Sequence, residues 1–185
     1  DVGFVLEKPH YIEKLTVKEY LEFAAVMYDI GEEEGKKRAA ELIEFFALGE
    51  KQDQWIETYS TGMKKKVSLA AALIHHPRLL VLDEPLEGID PVSARVIKEN
   101  LRAMAERGIT ILITSHVLDT IEKLCDEIAI INQGKLVLQG TTENLRTRIK
   151  NELTGETFES LEDIFIETVG GTDDDRRTLS WLDEE

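Results

Sequence analysis

The chain has 185 residues, enough for one domain or for one domain with an appendage. Its hydrophobic fraction of 42% is ordinary for a globular protein, and no apolar run reaches the length of a transmembrane helix. The net charge of −15 argues against nonspecific binding of DNA or RNA. The single cysteine, Cys125, excludes an internal disulfide bond and fits a reducing compartment.

Most of the negative charge lies at the end of the chain. Residues 151–185 contain twelve acidic and two basic residues. We therefore predict a body, residues 1–150, and an acidic C-terminal extension, residues 151–185, with a solvated and partly mobile end. Within the extension, Ser160-x-x-Asp163 predicts the start of a short amphipathic helix.

The chain starts with a predicted strand over residues 2–6, which Glu7-Lys8-Pro9 ends. A capping box, Thr16-x-x-Glu19, then begins a helix that Gly31 stops, and a second periodic segment ends near Gly49. With the helix that follows, these segments predict a helical subdomain over about residues 9–75. The pairs at 27–28 and 45–46 (Met27, Tyr28, Phe45, Phe46) are predicted to lie in its core.

A third helix begins within Tyr59-Ser60-Thr61-Gly62-Met63 and ends near His75. Free backbone N–H groups, a hydroxyl and a glycine at a helix start form a ready anion site. The alternative is that Ser60 or Thr61 only caps the helix. The run of lysines at 64–66 is typical of a solvated face.

The next segment, residues 79–82, is an apolar run typical of a strand buried on both faces of a parallel sheet. Asp83 and Glu84 follow it, at the strand end where open α/β sheets carry their chemistry. One carboxylate can hold a cation while the other orients or deprotonates a water; the alternative is merely an acidic turn. Asp90 and Pro91 then predict the start of a helix that stops at Gly108.

A second buried strand is predicted over residues 109–113, and it ends in Thr114-Ser115-His116. A lone histidine there is more often a capping or core residue. A helix, a strand over 127–131, a tight turn and a return strand over 135–139 follow. The alternation predicts an α/β fold with a mostly parallel sheet and a C-terminal hairpin.

The helix start at 59–63, the strand end at 79–91 and Thr114-Ser115-His116 occur in one order. This set resembles the ATP-binding domain of the ABC transporter family over nearly all of residues 1–150, and it implies a P-loop NTPase-like ABC ATPase core. Residues 59–63 resemble the signature motif, of which Ser60 and Gly62 fit the usual pattern. The departures at the other three positions, and the ending at 160–165, resemble the ABC-2-type exporter branch.

The resemblance implies a role for each candidate site residue. Asp83 would hold Mg²⁺ largely through water, and Glu84 would be the catalytic carboxylate that polarises the attacking water. His116 would be the second catalytic residue, next to the γ-phosphate. The residues that the resemblance assigns to the nucleotide are Ser60, Thr61, Gly62, Asp90 and Glu7.

Two of these positions have special features. Glu7 lies where the family usually has the Q-loop glutamine; it could accept from water or approach Mg²⁺, but it has lost the amide donor. Ser60 and Gly62 would act on ATP held by the other domain of a head-to-tail dimer.

The sequence contains no Gly-x-x-x-x-Gly-Lys-Ser/Thr motif. By the resemblance, this P-loop belongs upstream of Asp1, so we expect a domain truncated just before the Q-loop. We expect the parent protein to be an ATPase that uses ATP and Mg²⁺, and the chain alone to be inactive.

The expected partners are a second ATP-binding domain and a membrane permease, with no nucleic acid. The expected location is the cytoplasm, peripheral at the inner face of the cell membrane. Two alternatives remain open: a non-transport ABC ATPase, of the translation-factor or chromosome-maintenance type, and an interaction module that does not hydrolyse ATP.

Overall fold

The computed structural model describes residues 1–8, 10–149 and 160–169. The chain divides into two compact units, Asp1–His116 and Val117–Glu185. This division differs from the boundary at 150/151 that the charge distribution suggests. The boundary at 150/151 stays a prediction. The acidic runs near the C-terminus lie outside the described residues.

The first unit contains a parallel sheet of three strands in the order β1-β2-β3. The strands are β1 (Val2–Val5), β2 (Leu79–Asp83) and β3 (Thr110–Thr114). The parallel sheet predicted from the alternating pattern is therefore confirmed. Because β2 lies in the middle, Leu80 and Leu82 are fully buried. The register sets the last residue of β2, Asp83, beside the last residue of β3, Thr114.

The prediction that β3 is buried was wrong. Its residues are exposed or half-buried, and Leu112 is 57% exposed. The reason is that β3 is an edge strand of this sheet, on which the helix α4 (Pro91–Glu106) packs. An apolar run shows that a strand suits a buried environment, but it does not specify which neighbours cover the strand.

The first unit contains four described helices, and three of them begin where the sequence predicts, after Thr16, within residues 59–63 and after Asp90. The four helices are α1 (Val17–Met27), α2 (Glu32–Phe45), α3 (Thr61–Leu73) and α4. The capping box at Thr16 is complete, because the Glu19 N–H donates to Thr16 Oγ1 (3.2 Å) and the Thr16 N–H donates to Glu19 Oε2 (2.8 Å). Between α2 and α3 lie two short 3₁₀ turns, Gly49–Lys51 and Ile56–Thr58.

The core prediction for the helical part of the first unit is only partly confirmed. Phe46 is buried, whereas Met27, Tyr28 and Phe45 are exposed. The helix α1 buries the stripe of Val17, Leu21 and Ala25 instead. Residues 10–58 are called here the helical block. Several of its large apolar side chains are exposed: Ile12, Phe23, Val26, Met27, Tyr28, Phe45 and Trp55.

The described residues of the second unit form a hairpin and three helices. The elements are α5 (Leu118–Leu124), β4 (Ile128–Asn132), β5 (Lys135–Gly140), α6 (Thr142–Ile149) and α7 (Leu161–Val169). The antiparallel pairing of β4 and β5 confirms the predicted hairpin, and α6 was not predicted. The cap at 160–163 is formed, since the Asp163 N–H donates to Ser160 Oγ (3.2 Å). Among the described residues, no helix is both long and apolar enough to cross a bilayer.

Candidate functional site

The carboxyl ends of the three strands bring four predicted site residues into one neighbourhood. Asp83 ends β2 and Glu84 follows it, while His116 lies two residues beyond β3 and Glu7 two residues beyond β1. The hydrogen bond and the negative charge of Glu84 raise the pKa of His116, and the charge of Glu7 acts in the same direction. Residues distant in sequence thus meet at the sheet edge where α/β proteins carry their chemistry.

Asp83 is held by the neighbouring strand. The Thr114 hydroxyl donates a short hydrogen bond to Asp83 Oδ1, which follows from the pairing of these two strand ends. In the described part of the chain, Asp83 Oδ2 has no hydrogen bond. The carboxylate is therefore fixed through one oxygen and can offer the other to a ligand.

Glu84 is fixed more extensively than Asp83. Its Oε1 accepts from the His116 backbone N–H (2.8 Å) and lies 2.8 Å from His116 Nδ1, while its Oε2 accepts from Ser115 Oγ (3.0 Å). Its own N–H donates to the Thr114 carbonyl at 3.1 Å. These contacts orient the Glu84 carboxylate towards the segment that follows β3.

The backbone of Glu84 is in the left-handed region, with φ of +45°. For a residue with a long side chain such a conformation costs about 1–3 kcal/mol. The conformation turns the chain directly after Asp83, and the Glu84 side chain lies next to His116. The strain and the hydrogen bonds occur at the same residue, as is typical of a functional site.

The pair of Glu84 and His116 joins a sheltered carboxylate to an exposed ring. The Glu84 side chain is 17% exposed and the His116 side chain is 72% exposed. The hydrogen bond and the charge of Glu84 raise the pKa of His116, and the charges of Glu87 and Glu7 contribute in the same direction. The ring can therefore present a proton on Nε2 to an anion while Nδ1 contacts Glu84.

We expect an NMR titration to find the pKa of His116 above the ordinary value of 6.5. Glu84→Gln should return the His116 pKa towards that value, because both larger causes of the shift are removed. A histidine whose pKa is raised on folding stabilises the folded chain below its unfolded pKa, and the stabilisation is lost as pH rises through the folded pKa. His116→Gln assigns the resonance, and an unchanged His116 pKa in Glu84→Gln would contradict the ion pair.

Ser60, Thr61 and Gly62 lie at the start of α3, and Ser60 caps the helix by accepting from the Met63 N–H (3.3 Å). A Cβ on Gly62 would lie 2.3 Å from the Gly88 carbonyl oxygen, so only glycine allows this close backbone approach. Among the described residues, no hydrogen bond or ion pair joins these three residues to Glu84. The helix start thus forms a second part of the candidate site.

Asp90 connects the starts of α4 and α3. Its Oδ1 accepts from the Ser93 N–H (2.9 Å), as the sequence predicts for a cap. Its Oδ2 lies 3.7 Å from Lys66 Nζ, which also donates to Ser93 Oγ (2.7 Å). The hydrogen bond to Ser93 lowers the pKa of Asp90, which keeps this carboxylate charged.

The interpretation of the lysines at 64–66 as a solvated face was wrong for two of them. Lys65 is buried and Lys66 is largely so, because each reaches a neighbouring element of the first unit. The roles of Thr114 and Ser115 towards the two carboxylates were also not predicted. The sequence shows only that Thr114 and Ser115 lie at a strand end. Which carboxylate each of them contacts depends on the register between the strands.

Several known proteins are similar to this chain. The sequence model of the family described as ABC transporter matches residues 1–87. The linearmycin resistance ATP-binding protein LnrL of Bacillus subtilis (strain 168) is 42% identical over 148 residues, which are 80% of this chain and 48% of that protein. The chain thus spans about half the length of this relative.

A second relative is covered more completely. The uncharacterized ABC transporter ATP-binding protein YthP, also of Bacillus subtilis (strain 168), is 37% identical over 91% of this chain and 70% of its own length. A solved structure described as an ATP-binding subunit of an ABC transporter superposes with a TM-score of 0.81 at 30% identity, covering 90% of this chain and 68% of the other. The chain therefore belongs to the ATP-binding proteins of the ABC transporter family.

Proposed function

We propose that this chain is part of the ATP-hydrolysing subunit of an ABC transporter that powers export through a separate permease. The observation that carries the proposal is the set of three side chains at adjacent strand ends: Asp83, bonded to the next strand, and the hydrogen-bonded pair of Glu84 and His116. Phosphoryl transfer depends mainly on positioning and on stabilising charge, and this set supplies groups for both. The name of the relative LnrL, a resistance protein, supports export as the direction.

Each residue of the set has its own role in this proposal. Glu84 accepts a hydrogen bond from the attacking water, since its oxygens accept three hydrogen bonds and a carboxylate has room for about four. His116 donates from its exposed ring to the γ-phosphate. Glu7, beyond the end of β1, is a further polar residue near the same phosphate.

The residues present fit Mg²⁺. Magnesium keeps several waters and takes only one or two protein carboxylates together with substrate phosphates. Asp83 offers one oxygen without a hydrogen bond in the described part of the chain, and no cluster of three or more His, Cys, Asp or Glu in that part could hold a metal by itself. Asp83 would hold the ion, with Glu7 as a further ligand, and the bound ion would neutralise phosphate charge.

A second ATP-binding domain completes the proposed site. Ser60, Thr61 and Gly62 lie at a helix start, where backbone N–H groups and the helix dipole favour an anion. In a head-to-tail dimer they would contact ATP held by the partner domain. Asp90, at the start of α4, would lie at the same dimer interface.

The proposed permease contact is the exposed apolar part of the helical block. Scattered apolar side chains are ordinary on a surface, but exposed Phe23, Val26 and Met27 lie close together on α1. Such a contact would keep the protein at the inner face of the membrane, in the cytoplasm.

Co-purification tests this function against its rivals. We expect the complete protein, expressed with its neighbouring membrane genes, to co-purify with a permease and to show ATPase activity in that complex. A translation factor or chromosome-maintenance ATPase would instead be recovered with ribosomes or nucleic acid. An interaction module would co-purify with a partner and hydrolyse no ATP.

We expect Met27→Glu to weaken permease binding by at least about tenfold, because a charge would have to be buried in an apolar contact. Met27 is 67% exposed, so the change should leave the stability of the free protein unaltered. Ile131→Glu is the matched control, since Ile131 is 68% exposed and lies outside the helical block. Equal co-purification of both variants would exclude this surface as the permease contact.

A further inference from the structure

Lys65 is a buried lysine on the helix that begins with the signature residues. It is 3% exposed, and its ammonium Nζ donates to the backbone carbonyl oxygens of Leu6 (3.3 Å) and Glu7 (3.0 Å). Burial of an ammonium is costly unless hydrogen bonds and opposite charges compensate. The two carbonyls belong to the segment that leaves β1, so Lys65 joins α3 to that segment across 58 and 59 positions of sequence.

The electrostatic surroundings of Lys65 include three carboxylates of the candidate site. Burial lowers the pKa of Lys65, and the negative charges of Glu87, Asp83, Glu7 and Glu84 oppose that effect. The ammonium is thus a cation among carboxylates, and it also fixes the backbone of one of them. Because carbonyl groups bonded to a buried ammonium are held firmly, the segment at Leu6 and Glu7 has a defined position relative to α3.

We propose that Lys65 is a positioning residue that ties the backbone of Leu6 and Glu7 to the signature helix α3. The proposal deepens the proposed function and rests on it, since it assigns to Lys65 the placement of Glu7 at the nucleotide. It has a mechanical consequence. A displacement of α3 when Ser60 and Gly62 bind the partner domain's ATP would be transmitted through Lys65 to Glu7, at this domain's own hydrolytic set.

The first experiment measures how firmly Lys65 holds the backbone of Leu6 and Glu7, and it does not depend on ATPase activity. Hydrogen exchange of the complete protein is compared in the wild type, in Lys65→Met and in Lys64→Met. We expect Lys65→Met to speed exchange of the amides at residues 6–8 about tenfold, because two charge-assisted hydrogen bonds are lost. Lys64→Met removes the same charge from the same helix, but within the described residues the Lys64 side chain has no hydrogen bond, so exchange should be unchanged.

Lys65→Gln guards against a variant that fails to fold. The shorter amide keeps a donor, so we expect exchange between that of the wild type and that of Lys65→Met. Circular dichroism verifies that each variant is folded. Exchange at residues 6–8 that is unchanged in a folded Lys65→Met would overturn the proposal.

The second experiment is a double-mutant cycle in the assembled transporter, with Mg-ATP as substrate. Lys65→Met should raise KM several-fold and lower kcat less, while Lys65→Met added to Glu7→Ala should change neither constant further. A merely structural role of Lys65 would give additive effects, and additivity would overturn the inference.

The cycle also separates the two proposals from each other. Loss of turnover in Glu84→Gln, together with additive effects of Lys65 and Glu7, would retain the proposed function and refute the inference alone. Full turnover in Glu84→Gln would refute the role proposed for Glu84, and a wild-type complex that hydrolyses no ATP would refute the proposed function. The exchange experiment would still decide whether Lys65 holds the backbone of Glu7.

Discussion

Glu84→Gln should lower the kcat of ATP hydrolysis by the assembled transporter at least about a hundredfold. The amide keeps the size of the side chain but loses the negative charge that attracts a proton from the attacking water. Its oxygen can still accept from the His116 backbone N–H, so the turn after Asp83 should persist. The measurement is steady-state ATPase activity of the purified complex, together with its thermal unfolding temperature.

Two further variants give that result its meaning. Glu84→Asp keeps the charge but shortens the side chain, so we expect most activity to be lost and a residual rate above that of Glu84→Gln. Glu106→Gln makes the same chemical change at an exposed glutamate at the end of α4, and it should be fully active. Normal turnover in Glu84→Gln would show that another group activates the water.

The second large effect is expected for Asp83→Asn, which should lower kcat about a hundredfold at cellular magnesium and raise the Mg²⁺ concentration needed for half-maximal rate. The amide retains an oxygen that can accept from Thr114 but has lost the charge that attracts a divalent cation. The ATPase rate measured over a range of Mg²⁺ concentrations tests this. A rate reduced equally at every Mg²⁺ concentration would contradict a role of Asp83 in holding the metal.

Thr114→Val is the matched control for Asp83→Asn. It removes the hydrogen bond to Asp83 but leaves the carboxylate charge and most of the side-chain volume. A single hydrogen bond contributes about 0.5–1.5 kcal/mol, so we expect a loss of roughly two- to tenfold. A loss as large as that of Asp83→Asn would mean that the orientation of the carboxylate matters as much as its charge.

Much of the fold could be predicted because its signals are local. The capping box of Thr16 and Glu19 and the Asp90-Pro91 helix start each depend on residues within one turn. The prediction that β3 is buried was wrong because burial is not a local property: it depends on which elements pack on the strand. The helix α6, over Thr142–Ile149, was not predicted.

The candidate site divides in the same way. Asp83, Glu84 and His116 could be found because each follows an apolar run, and the ordered motifs resembled one family. Their hydrogen bonds could not be predicted, since they require the parallel register of β2 and β3. The roles assigned to these residues at ATP stay predictions until the variants are measured.

The sequence alone determined most of the elements and their chemistry: carboxylates and a histidine at strand ends, and a hydroxyl and a glycine at a helix start. It could do so because hydrophobic period and capping act over a few residues. Only the tertiary structure decided that Thr114 holds Asp83, that His116 pairs with Glu84 and that Lys65 is buried against Leu6 and Glu7. Each of these contacts joins residues more than 30 positions apart, and its strength comes from burial and packing that no local pattern contains.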